Sequence, residues 1–121
     1  MAKIERFEDL HSWQKARQLA NAIYDLTEHP IFKKDFRLSG QIQGAAGSAM
    51  HNISEGFDSG SNPEFIRFLK MARRSTSEVQ SELYLALDRK YITQDQLTTA
   101  YNLATEVKRL INGMIGYLRK S

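Results

Sequence analysis

At 121 residues, 41% of them hydrophobic and 26% charged, the chain has the length and composition of one globular domain, able to bury on the order of two-thirds of its unfolded surface. No apolar run approaches the roughly 20 residues of a bilayer span, no secretory pattern opens the sequence, and the lack of cysteine excludes disulfides, thiolate catalysis and cysteine-ligated zinc. A cytoplasmic location with no membrane partner is therefore expected, and the net charge of +3 is unevenly spread: residues 1–62 hold seven Lys/Arg against eight Asp/Glu, 63–90 hold six against four, and 91–121 hold four against two.

Two prolines, Pro30 and Pro63, punctuate segments whose apolar residues recur with helical rather than alternating spacing, which predicts an all-α chain. The first helix is expected over about 10–28, with Asp9 as its N-cap and Trp13, Ala16, Ala20, Ile23 and Thr27 facing inward, and His29-Pro30 stopping it. A connector of about ten residues leads to a second helix over about 39–57, with Ile42, Ala46, Ala49, Ile53 and Phe57 inward. Asp58-Ser59-Gly60-Ser61-Asn62 reads as a turn, with Asn62 as N-cap and Pro63 at the first position of a third helix over about 63–90. Its inward stripe is Phe65, Leu69, Ala72, Thr76, Val79, Leu83 and Ala86. Thr93 with Gln96 forms a capping-box pattern that opens a fourth helix over about 94–119. There, Leu97, Ala100, Ala104, Val107, Ile111, Met114 and Leu118 alternate spacings of three and four, a seam suited to nearly antiparallel packing at about 20°. The predicted architecture is an antiparallel up-down-up-down four-helix bundle forming a single domain over residues 1–121.

Scaffold and function separate on the third predicted helix, where Arg67, Lys70 and Arg74 lie opposite the apolar stripe. Glu64 to Ser77 holds four basic residues against one acidic. Such a stripe can track phosphates, the sequence-independent part of nucleic-acid affinity. It can equally be a solvated face supported by contacts such as Arg74 with Glu78. No recognition-helix or aromatic-stacking module accompanies it, so binding would be by backbone charge and shape.

The second predicted helix carries Gly40, Gly44, Gly47 and His51 on the face opposite its core stripe. A mid-helix glycine costs roughly 0.5–1 kcal/mol relative to alanine, so this stripe points to close approach of a helix from another subunit, the alternative being drift in a helix held by its core. Leu103, Leu110 and Tyr117 widen the apolar arc of the fourth helix and add to the expected oligomer interface.

Chemistry is harder to find. His51 and Glu55 are spaced to share one metal ion, but no partner pair accompanies them, and neither His11 nor His29 belongs to a carboxylate motif, so no metal or cofactor site is expected. Asn52 and Glu55 fit a structural polar network. No nucleophile with a base, paired carboxylates or phosphate-cradling loop is visible; the turn before Pro63 lacks the lysine of a P-loop. The expectation is a protein that is not an enzyme.

Trp13-Gln14-Lys15-Ala16, Ile23-Tyr24-Asp25-Leu26-Thr27, Gln41-Ile42 followed by Ala45-Ala46, Asn52-Ile53 and Glu55-Gly56-Phe57 resemble the bacterial four-helix bundle protein family. So do Glu64-Phe65-Ile66-Arg67-Phe68-Leu69, Ala72-Arg73, Ser75 and Gly113, in order along nearly the whole chain. That family is named for members encoded in intervening sequences of 23S rRNA genes and is similar to accessory proteins of diversity-generating retroelements. The resemblance implies a four-helix protomer assembling into a homopentamer, with a basic surface contacting RNA or DNA. Arg67 and Arg73 stand at motif positions, so the nucleic-acid-binding residues it implies, joined to the stripe, are Arg67, Lys70, Arg73 and Arg74. The chain departs from the pattern at Gln43-Gly44, where the family has an Arg pair after Gln-Ile, and at Ala49-Met50 and His51, where it has Ile-Pro before Asn. Part of the family's positive surface is absent, and the second helix is expected to run straighter. The second reading is a protein-interaction module, an adaptor for a nucleic-acid enzyme.

Overall fold

The helical periodicity is realised in the computed structural model, which describes residues 4–121, as a 3-10 turn at Phe7–Asp9 and five helices: α1 (His11–Thr27), α2 (Pro30–Lys33), α3 (Phe36–Phe57), α4 (Asn62–Asp88) and α5 (Gln94–Arg119). No strand occurs among the described residues. The capping-box pattern closes as expected: the Gln96 N–H donates to Thr93 Oγ1 at 3.1 Å and the Thr93 N–H donates to Gln96 Oε1 at 2.9 Å. Other helix starts differ from the sequence expectation by local competition for the cap. Asp9 does not cap α1, because the 3-10 turn takes it up and Leu10 stands at the cap with no side-chain bond. α1 does stop ahead of His29-Pro30, at Thr27, and Pro30 itself opens α2 at the first position. Asp35 then caps α3, accepting from the Leu38 N–H at 3.0 Å, so this helix starts at Phe36 rather than Ser39. Ser61, not Asn62, caps α4, with its hydroxyl accepting from the Glu64 N–H at 3.3 Å and Pro63 one place further in. Lys90, at φ 64°, reverses the chain after α4, and the Tyr91 N–H returns to the Ala86 carbonyl at 2.9 Å.

The four long helices pack around one core, α1 and α4 each lying against both α3 and α5. All seven inward residues expected on the third helix are buried along α4. On α5, Met114 is only half-buried and Ile115 takes its place, because a helix of about 3.6 residues per turn drifts off a strict three-four spacing. Trp13 and Phe57 sit half-buried at the rim, while Leu19 and Phe32 are fully buried. Phe32 stacks on Tyr91 at 5.3 Å and the Tyr91 hydroxyl donates to Asp35 Oδ2 at 2.9 Å, tying α2 and the start of α3 to the loop before α5. α3 runs without a break through Ala49, Met50 and His51.

One glycine is required by packing. A Cβ on Gly56 would stand 2.8 Å from Phe68 Cβ and 3.3 Å from the Phe65 carbonyl oxygen, so α3 and α4 approach here at backbone distance. Gly44, in contrast, is exposed in mid-helix with nothing within 4 Å of an added Cβ. Gly56→Ala is therefore expected to lower the thermal midpoint, whereas Gly113→Ala, at a position exposed within α5 with nothing within 4 Å of an added Cβ, should raise it by the equivalent of about 0.5–1 kcal/mol through better helix propensity. Circular-dichroism melts of the two variants and the parent check the opposite signs.

Candidate nucleic-acid interface

The four basic residues on α4 do not share one environment. Lys70 and Arg74 are exposed on the outward side, and neither has a carboxylate within ion-pairing distance among the described residues, so the expected Arg74–Glu78 contact does not form. Arg67 is exposed too, but its Nε lies 2.8 Å from Glu64 Oε2 and its guanidinium covers the Phe68 ring at 4.7 Å. Its charge is largely compensated. Arg73 turns the other way, toward α5, where it is half-buried and its Nη1 donates to Asn112 Oδ1 at 2.7 Å.

Further along the α4/α5 seam, Gln80 is buried and bonded on every side. Its Nε2 donates to Thr105 Oγ1 at 2.9 Å and to the Tyr101 carbonyl at 3.3 Å, and its Oε1 accepts from Lys108 Nζ at 3.0 Å. The edge of this network is closed by Tyr84 and Tyr101, packed edge to face at 5.7 Å. Lys108 escaped the sequence reading because, on α5 alone, it is one more polar residue beside the seam.

Residues expected at an oligomer interface fall into separate groups. Gly40 and Gly44 are exposed with open space beyond them, and Gly47 meets only the exposed His51 ring at 3.9 Å. Among the described residues no other helix approaches this face closely. Leu103 and Leu110 are half-buried against the core and Tyr117 is exposed. Leu110 and Tyr117 come together with Met114, Phe57, Phe65 and Ile4 in a groove of about 1080 Å³ at one end of α5. Among the described residues no three His, Asp or Glu are placed to hold a metal ion. Asn52 makes only local bonds, from its Nδ2 to the Ser48 carbonyl at 2.9 Å and Ser48 Oγ at 3.0 Å, and Ser48 in turn bonds Ser75 across α3 and α4 at 2.9 Å.

Glu82 on α4 is a group that the sequence did not single out. Its Oε1 is buried without a hydrogen-bond partner, and desolvation, reinforced by the nearby Glu78 charge, pushes its pKa up to about 7. The opposite holds at Glu106, whose carboxyl is kept below its usual value by the hydrogen bond from Arg109.

A family model for 23S rRNA-intervening sequence proteins matches residues 8–113. Among solved structures, the chain is similar to a protein of unknown function from the S23 ribosomal protein family of Bacteroides thetaiotaomicron VPI-5482, with 28% identity and a TM-score of 0.81 over 87% of this chain and 95% of that one. No curated protein matches the chain significantly.

Because the folded chain raises the Glu82 pKa from 4.5 to about 7, the fold disfavours the carboxylate form. The Glu82 contribution is therefore neutral below the unfolded value and turns unfavourable as pH rises toward the folded one. Stability of the parent should fall between about pH 4.5 and 7 relative to Glu82→Gln, the two coinciding near pH 4 and the variant being the more stable at pH 8. Urea unfolding across that range measures the difference.

Proposed function

The chain belongs to the 23S rRNA-intervening sequence protein family, and on that premise we propose that it is a cytoplasmic, non-catalytic helical bundle that self-associates and binds structured RNA or DNA through backbone charge. The observation that carries this reading is the uncompensated charge of Lys70 and Arg74 on α4, beside Arg73 held by a neutral amide. Arg67, at a family motif position, contributes less because Glu64 already faces it. An up-down-up-down course of the long helices is supported by cross-helix pairs whose numbers fall on one helix as they rise on the other: Ser48 with Ser75 and Phe57 with Phe65, then Arg73 with Asn112 and Tyr84 with Tyr101.

Self-association, as a homopentamer, rests on the family resemblance and on the open glycine face of α3. The second reading, an adaptor for a nucleic-acid enzyme, is favoured by the apolar groove at Leu110, Met114 and Tyr117. No helix of the described residues is long and apolar enough to cross a membrane.

Two measurements test the proposal. Affinity for duplex DNA should fall with salt along a log–log slope of about 0.9 per neutralised phosphate, with little sequence preference, and Lys70→Gln with Arg74→Gln should flatten that slope while leaving the melt nearly unchanged. Fluorescence anisotropy across a salt series reads this; a parent that shows no binding at low salt moves the function to the adaptor reading. Gly44→Leu with Gly47→Leu should give a smaller species by light scattering at unchanged helix content, because leucine favours helix but blocks close backbone approach. A monomeric parent at micromolar concentration would remove the pentamer.

A further inference from the structure

The fold lays two carboxylate-free stretches of sequence side by side. Residues 65–77 and 107–121 together contain eight Lys and Arg and no Asp or Glu, whereas the rest of the chain contains nine against fourteen. The positive net charge of the protein is thus a strongly basic pair of segments set against an acidic remainder. The 2.7 Å bond from Arg73 to Asn112 holds the first half of α4 to the second half of α5, so basic residues distant in sequence share one surface. Two of the eight are compensated at the margins, Arg67 by Glu64 and Arg109 by Glu106. The other six have no carboxylate within ion-pairing distance among the described residues.

Among those six, Arg73 and Lys108 are held differently. Both are half-buried in the α4/α5 seam, and each donates to a neutral amide oxygen, Asn112 Oδ1 and Gln80 Oε1 at 3.0 Å for Lys108. A carboxylate partner would cancel the charge and have to be displaced by an incoming anion. An amide oxygen orients the cation and leaves its charge whole, and most of the guanidinium and ammonium N–H donors stay unused. Rotamer freedom that a solvated lysine or arginine loses on binding has already been lost here on folding.

We infer that the phosphate-binding surface spans the α4/α5 seam, with Arg73 and Lys108 as its pre-oriented contacts and Lys70 and Arg74 on its outer flank. This rests on the nucleic-acid reading above and deepens it: the surface is not confined to α4, and Lys108 of α5 belongs to it. The acidic remainder of the molecule repels a polyanion and turns the seam toward it, which raises the rate of productive encounter at low salt.

The test uses anisotropy of a labelled random-sequence DNA duplex across a salt series, with helix content and melting checked for each variant. Arg73→Gln with Lys108→Gln should reduce the magnitude of the log–log slope by about 1.8, two phosphate contacts at about 0.9 each. Lys108→Arg should retain the parent slope. Asn112→Asp supplies a variant whose fold has no reason to fail: it keeps the Arg73 contact and gives that cation a carboxylate partner, so the slope should drop by about 0.9 with stability held or raised. Unchanged slopes in both Asn112→Asp and the double variant, in a parent that binds and loses slope on Lys70→Gln with Arg74→Gln, would overturn the seam and leave the nucleic-acid reading standing. A parent without salt-dependent binding would overturn both, and one that binds polyglutamate but not the duplex would assign the seam to an acidic protein partner instead.

Discussion

Burial of one side of α4 is the constraint on which the rest of the molecule depends. Phe65, Leu69, Ala72, Thr76, Val79, Leu83 and Ala86 are all removed from water, and each fully buried large aliphatic or aromatic side chain among them contributes on the order of 1.5–3 kcal/mol. That requirement sets the rotation of α4 about its axis. Once it is set, Lys70 and Arg74 have to point outward, Arg73 and Gln80 have to enter the seam with α5, and Ser75 has to meet α3. At the start of the helix the same constraint presses Phe65 and Phe68 against Gly56, where the lack of a side chain lets two backbones approach.

Charge on this scaffold is sorted by the kind of partner it has. Arg67 and Arg109 face carboxylates three residues away on their own helices, contacts worth little to stability in water but sufficient to cancel a charge locally. Arg73 and Lys108 face amides on a neighbouring helix and keep their charge. Glu82 is the reverse case, a carboxylate placed where neither a cation nor a donor reaches its buried oxygen. A cation with a neutral partner keeps its charge whole, so an incoming anion has no carboxylate to displace at Arg73 or Lys108.

Helix starts show how far local chemistry can be read from a sequence. Thr93 and Gln96 cap α5 as expected because both halves of the motif lie within four residues and no neighbour competes. Asp35 caps α3 through an equally local bond, and its position three residues before Leu38 was a signal in the sequence. The choice of Ser61 over Asn62 is a competition between adjacent residues able to play the same role, and the approach of Phe65 to Phe57 and Gly56 sets where the first turn begins.

Periodicity, composition and motif residues determined by themselves that the chain is all-helical, which residues of α4 face the core, that α4 carries an outward basic stripe, and which family the chain resembles. These follow from the helix repeat and the scarcity of buried charge, both of which act within one helix. Tertiary structure alone decided that Arg73 and Lys108 meet amides rather than carboxylates. The partners Asn112 and Gln80 lie on the helix opposite, 39 and 28 residues from the groups that bond them, and the unpartnered oxygen of Glu82 has its surroundings set by packing. Helical spacing states the face on which a side chain leaves its own helix and which neighbours three or four residues away can reach it; what meets it from another helix depends on the register between helices, which no single helix contains.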